Sequence, residues 1–261
     1  MTEHIIFLFY ISLFVVSTIG YGEVFSRLFN KESLDCNIGF KGLIGFFLIT
    51  LISVLTSYFF AHNYIHNIII HIIGIIGFVL FFMSKKKNKE QIKNFELLIL
   101  IMLIGSYVYK NHDDFPYYHL TYSLNLSNNP FIVGTGVFSH GFKTSSSLFY
   151  FHSLLYMPFI EYYLFHAGPF FILIFFNFHV LNKLRIKYLN KEIDFIYFFS
   201  LLNFIFVNVV FYRLGEHGTD RSAQILLFLI FITFFELFLL KKNSFQKNTL
   251  INFLLIGIIL A

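Results

Sequence analysis

Apolar stretches near the length of about 20 residues that a helix needs to cross a hydrocarbon core recur along this chain. They lie at 4–20, 39–61, 65–83, 94–109, about 167–183, 194–212, 223–240 and from 249 onward. Nothing else constrains the fold as strongly. In lipid every backbone N–H and C=O must find its partner within the segment, and runs of this length do so as helices. The chain is 57% hydrophobic and 13% charged, whereas a soluble domain carries about 25% charged residues. The sequence therefore predicts an all-α fold, a polytopic transmembrane bundle of about eight spans forming a single domain over 1–261. The N-terminus lacks the basic leader of a cleaved signal and reads as a retained first span. The last apolar run stops at Ala261 before any polar flank, so an N-terminal part of a longer protein is expected. Cys36 is the only cysteine, which excludes an intramolecular disulfide.

The basic residues orient the bundle. All but four of the 19 Lys and Arg fall in four short segments. These are Arg27, Lys31 and Lys41; Lys85, Lys86, Lys87, Lys89 and Lys93; Lys183, Arg185, Lys187 and Lys191; and Lys241, Lys242 and Lys247. If each apolar run crosses once, all four segments share one side, which the positive-inside rule makes the cytoplasm. A multi-pass protein of the plasma (inner) membrane is expected, with its N-terminus and the 110–166 loop extracytoplasmic. The net charge of +5 is thereby a matter of membrane orientation, and contact with anionic lipid explains the "KKKNKEQIK" run without nucleic acid. Glu236 is expected to snorkel toward Lys241 and Lys242.

The stretch 147–168 is apolar enough to suggest another span, but a crossing there would put "KLRIKYLNK" outside. It also holds Glu161, His152, His166 and the helix-disrupting Pro158. An aromatic-rich interfacial helix within the long outer loop is expected, with a re-entrant segment as the alternative.

Two polar segments then share the outer face. The first, "NHDDFPYYHL" at 111–120, sets Asp113 and Asp114 before Pro116, which suits the first turn of a helix. Asp114 is expected at or near the N-cap, where a carboxylate is favoured by exposed N–H groups. Adjacent side chains diverge, which leaves Asp113 to face a cleft as the preferred general base. Tyr117 and Tyr118 read equally as headgroup anchors and as substrate contacts. The second, "YRLGEHGTDRS" at 212–222, packs Arg213, Glu216, His217, Asp220 and Arg221 together. Thr219 or Asp220 suits a helix cap, and the charges suit a solvated rim. The same two guanidiniums offer bidentate geometry for a phosphate. The two segments are expected to line one cleft, with a carboxylate of Asp113 or Asp114 near Arg213, Arg221 or His217. No HExxH, CxxC, GxSxG or phosphate-loop motif is present. His62, His66 and His71 lie near an outer turn without nearby carboxylates, a poor ligand set. No resident cofactor or metal is implied, although an acidic pair is compatible with a divalent ion.

Asp113, Asp114, Tyr117, Tyr118 and His119 resemble the acidic, aromatic-rich first long outer loop of the GT-C superfamily of polytopic glycosyltransferases. "RLGEHGTDRS" is similar to polar loops in bacterial membrane proteins of surface polysaccharide assembly. The resemblance covers roughly 90–225, and here three further spans precede the acidic loop. It implies sugar transfer from a polyprenyl-phosphate carrier to an acceptor outside the cytoplasm. Asp113 or Asp114 would then be the base, Tyr117, Tyr118, His119, Glu216, His217 and Asp220 would be substrate contacts, and Arg213 and Arg221 would hold the lipid phosphate. The partners implied are membrane lipids and the polyprenyl-phosphate-linked sugar. The alternatives are a lipid-linked sugar or polysaccharide transporter, flippase or polymerase, and a non-catalytic membrane subunit.

Overall fold

The computed structural model describes residues 2–28, 37–84, 86–106, 112–143, 145–211, 219–239 and 247–260. These form α1 (Thr2–Leu28), α2 (Ile38–Ser57), α3 (Tyr64–Ser84), α4 (Lys86–Ser106), α5 (Leu120–Asn128), α6 (Ser147–Leu154), α7 (Gly168–Leu189), α8 (Phe195–Val210), α9 (Asp220–Leu239) and α10 (Lys247–Leu260). Each expected apolar run is a helix. Four of them, His4–Leu28, Ile38–Ser57, Tyr64–Met83 and Gly168–Leu189, are long and apolar enough to cross a membrane, and Phe195–Val210 is a shorter apolar helix. This marks a membrane-embedded all-helical protein.

The helices begin where local chemistry permits. Asn37 accepts the Phe40 N–H at 3.0 Å to cap α2, and Asp194 accepts the Tyr197 N–H at 2.9 Å to cap α8. α7 is the central post: Phe170, Phe171, Ile172, Leu173, Ile174, Phe175 and Phe176 are all buried in succession, so it has no lipid-facing side at its outer end. α3 is peripheral and exposes Ile65, Ile69, Ile72, Ile73 and Ile76. Such an apolar surface is costly in water and at home in lipid.

Between α1 and α3 the backbones nearly touch. A Cβ on Gly20 would lie 1.7 Å from the Gly74 carbonyl oxygen, so only glycine permits this crossing. Polar side chains stitch the helices where lipid offers no alternative partner. Tyr21 donates its hydroxyl to the Ile70 carbonyl at 2.8 Å. Asn177 of α7 and Asn208 of α8 exchange amide hydrogen bonds at 2.7 and 2.8 Å.

The basic residues gather at one end of the bundle. Glu23 joins Arg27 and Lys41 there, and Gln91 of α4 accepts the Ile38 N–H. Glu236 pairs with Lys183 of α7; Lys241 and Lys242, toward which it is expected to snorkel, lie outside the described residues.

The segment 147–168 makes no complete crossing. Its helix has eight residues, about 12 Å at 1.5 Å per residue. α6 is enclosed by protein, with Leu148 to Leu154 buried without interruption. α6 is wedged among α2, α5 and α7, with Phe151 against Phe46 at 4.3 Å and against Phe171 at 5.6 Å between ring centroids. Its polar side chains find partners inside the bundle: Ser153 meets His62 and donates to the Tyr150 carbonyl, and His152 accepts the Gly168 N–H. The exposed aromatics of the region lie elsewhere, at Phe138, Phe159 and Tyr163. Phe159 and Glu161 adopt positive φ in the tight turn that closes Met157 onto Glu161.

Candidate functional site

The end of the bundle opposite the basic residues is built on histidines and hydroxyls. His62, in the turn between α2 and α3, contacts Ser153 Oγ through Nδ1 at 2.6 Å and Thr56 Oγ1 through Nε2 at 3.3 Å. Asn67 donates to the carbonyls of His62, Ser153 and Tyr156. His71 bridges Ser17 and the Leu154 carbonyl, each at 3.1 Å. These histidines are fasteners that hold α6 inside the bundle. Among the described residues no three His, Cys, Asp or Glu side chains converge to hold a metal.

Over this platform lies the acidic segment. Pro116 opens a wide helical turn, Phe115–His119, that continues into α5, as the sequence predicts. The Asp114 carbonyl accepts the N–H groups of Tyr117, Tyr118 and His119 at 3.2, 3.1 and 3.4 Å. Asp114 occupies the N-cap position, but its side chain makes no capping bond. Oδ2 instead accepts the Tyr118 hydroxyl at 3.1 Å, one turn along the chain. His112 Nδ1 lies 3.6 Å from the same oxygen and accepts the Asp114 backbone N–H at 3.1 Å.

The two neighbouring aspartates stand in different surroundings. Asp113 is exposed and has no partner among the described residues, whereas Asp114 is part of a bonded cluster. The turn at 112–114 sets the phase: Asp114 is four residues before Tyr118, and Asp113 points away. Tyr117 is 76% exposed and touches nothing that orients it. Tyr118 lies edge-on to His119 at 4.5 Å, and Gly141 lets the His140–Lys143 turn press on the Tyr118 ring, since a Cβ there would approach it to 2.5 Å.

His119 is buried to 6% exposure between His112 and Phe149 of α6, with ring centroids at 5.8 and 5.0 Å. Burial, assisted by His112, pushes its pKa down, while the carboxylates of Asp114 and Asp220 oppose the shift. Asp220 is the exposed first residue of α9, and its charge is the part of the second polar segment that bears on His119. Arg221 does not pair with Asp113 or Asp114. It donates Nη1 to Gln224 Oε1 at 2.6 Å and lies over the Phe211 ring at 5.4 Å. Arg213, Glu216 and His217 lie outside the described residues. His112, Phe149 and Gly141 belong to the site without having been singled out from the sequence. His112 is legible beside the aspartates, but nothing local to 141 or 149 marks those two.

No curated protein and no solved structure matches the chain. Residues 4–261 match the family described as Domain of unknown function (DUF8201), and the chain belongs to that family.

Proposed function

We propose that this protein is a multi-pass membrane glycosyltransferase. It takes a sugar from a polyprenyl-phosphate donor and passes it to an acceptor hydroxyl on the extracytoplasmic face. All eight apolar helices cross in this reading, with the basic end of the bundle in the cytoplasm. The observation that carries it is the Asp114 carboxylate, fixed through Oδ2 by Tyr118 while Oδ1 has no partner among the described residues. A held carboxylate with a vacant oxygen is what a general base for a hydroxyl requires.

In the reaction the acceptor O–H gives its proton to Asp114 as its oxygen bonds to the anomeric carbon. The bond from that carbon to the phosphate oxygen breaks, and the electron pair leaves on the lipid phosphate. Arg221 retains donors beyond the one held by Gln224 and suits that departing charge, together with Arg213. The rings of His119 and His112 line the cluster, and burial disfavours the charged form of His119. Tyr117 and Asp220 are the exposed groups from which the sugar hydroxyls would be read.

The test is stoichiometric. Purified protein given a polyprenyl-phosphate sugar and a hydroxyl acceptor should release one polyprenyl phosphate for each glycosylated acceptor formed. Failure to form either product with a panel of hexose, hexosamine and pentose donors would end the reading.

A further inference from the structure

A partly open cleft of about 230 Å³ lies where α2, α7, α9 and α10 meet beside the start of α6. Its apolar wall runs along α2 from Phe46 to Val54, about 12 Å of helix. At its mouth Leu51 and Ile258 are 43% and 51% exposed, so it opens sideways onto the apolar flank of the bundle. Hydroxyls of Ser146, Ser147, Thr219 and Ser222 crowd the end nearest the outer loop, and no charged side chain lines it among the described residues.

Ser222 is the telling residue. It is 4% exposed, and its Oγ has no hydrogen-bond partner among the described residues, a lack it shares with Ser200 of α8, which lines no part of this cleft. Thr18, Ser26, Thr50 and Thr233 instead donate to the carbonyl four residues back. Ser222 is the third residue of α9, so the residue four back precedes the helix. An unpaired buried hydroxyl costs free energy until an acceptor reaches it.

We propose that the cleft is a binding site for one acyl chain of a neutral glycerolipid, whose ester carbonyl accepts the Ser222 hydroxyl. The volume is below the roughly 300–1,000 Å³ of pockets that enclose a whole small molecule, which suits one chain of a lipid whose remainder stays in the bilayer. An apolar mouth admits a ligand from the membrane rather than from water. A phosphate would meet hydroxyls and no cation among the described lining residues, with Asp220 at the same helix start, whereas an ester oxygen needs only a hydroxyl donor. This assignment is independent of the transferase reading.

The probe is a monoacylglycerol with a diazirine on its acyl chain, photolysed with the purified full chain in detergent and mapped by peptide mass spectrometry. Label should concentrate on 46–54 and 223–226. Ala223→Leu, which fills the cleft, should remove most of it. Ser222→Ala removes only the unpaired hydroxyl and should weaken labelling roughly 3- to 10-fold, the value of one hydrogen bond, with the melting temperature unchanged. Asp114→Asn should leave labelling intact whatever it does to transfer. Label spread over the exposed face of α3 and indifferent to both cleft variants would overturn the proposal. So would displacement of the probe by dodecyl phosphate or a prenyl phosphate at lower concentration than by unlabelled monoacylglycerol.

Discussion

Glu23 sits in α1 with a side chain only 6% exposed and serves two cations. Its Oε1 takes Arg27 Nε at 2.7 Å and its Oε2 takes Lys41 Nζ of α2. Arg27 also donates Nη2 to the Leu80 carbonyl of α3 at 2.8 Å, and Lys41 lies 4.7 Å from the Phe81 ring centroid. Three helices are tied through one carboxylate. Glu23→Ala leaves both cations facing each other without an anion. Removing one partner of a buried pair costs about 3–5 kcal/mol. Lys41, at 13% exposure, should bear most of this, while Arg27, at 34%, reaches solvent and counts for less. Glu23→Ala should therefore cost about 3 kcal/mol, the low end of that range. At about 2–4 °C per kcal/mol for chains of this size, the melting temperature should fall by roughly 6–12 °C. Glu23→Leu combined with Lys41→Met should recover much of the loss, because an apolar pair of similar volume needs no solvation. The assay is thermal unfolding of purified protein in one detergent. A fall below about 2 °C for Glu23→Ala, or a double variant no better than the single one, would refute the reasoning.

Acid should loosen the histidine platform. Burial, reinforced by His66, pushes His62 down to about 3, so the fold keeps it neutral while the unfolded chain takes up a proton below about 6.5. Its contribution is complete above pH 6.5 and is lost as pH falls toward 3, at about 1.4 kcal/mol per unit; equal pH slopes of melting temperature for wild type and His62→Gln would contradict this. Gly74→Ala places a Cβ 2.2 Å from Ser17 Oγ and should cost about 1–3 kcal/mol. Gly257→Ala, with nothing within 4 Å, is the neutral control, and equal melting temperatures for the two variants would show that close approach is not what Gly74 supplies. Orientation is read by cysteine labelling in a Cys36→Ser background. Asn128→Cys should react with an impermeant thiol reagent in intact cells and Asn88→Cys only after lysis, and the reverse pattern would invert the assigned face.

The helices were legible because lipid leaves a long apolar run little choice, and the gathering of Arg27, Lys41 and Lys183 at one end follows from alternating loops. The enclosure of α6 was not legible, because an aromatic-rich stretch fits protein and lipid surroundings equally; only its neighbours α2, α5 and α7 show the burial. Capping logic put Asp114 at its correct position but gave it the wrong partner: the Phe115 N–H bonds the His112 carbonyl, Pro116 has no N–H, and the Tyr117, Tyr118 and His119 N–H groups bond the Asp114 carbonyl, which leaves Oδ2 to the Tyr118 hydroxyl. The pairing of Glu236 with Lys183 and the bearing of the Asp220 charge on His119 depend on which helices are neighbours, and no local pattern encodes that.

The most direct test compares Asp113→Asn with Asp114→Asn in sugar transfer from a polyprenyl-phosphate donor, at matched expression and melting temperature. Loss of a general base should lower the Asp114→Asn rate by about 100- to 10,000-fold, with Asp113→Asn within about 2-fold of wild type. Wild-type transfer by Asp114→Asn, or a collapse confined to Asp113→Asn, would contradict the assignment of the base to the cluster held by Tyr118 and His112.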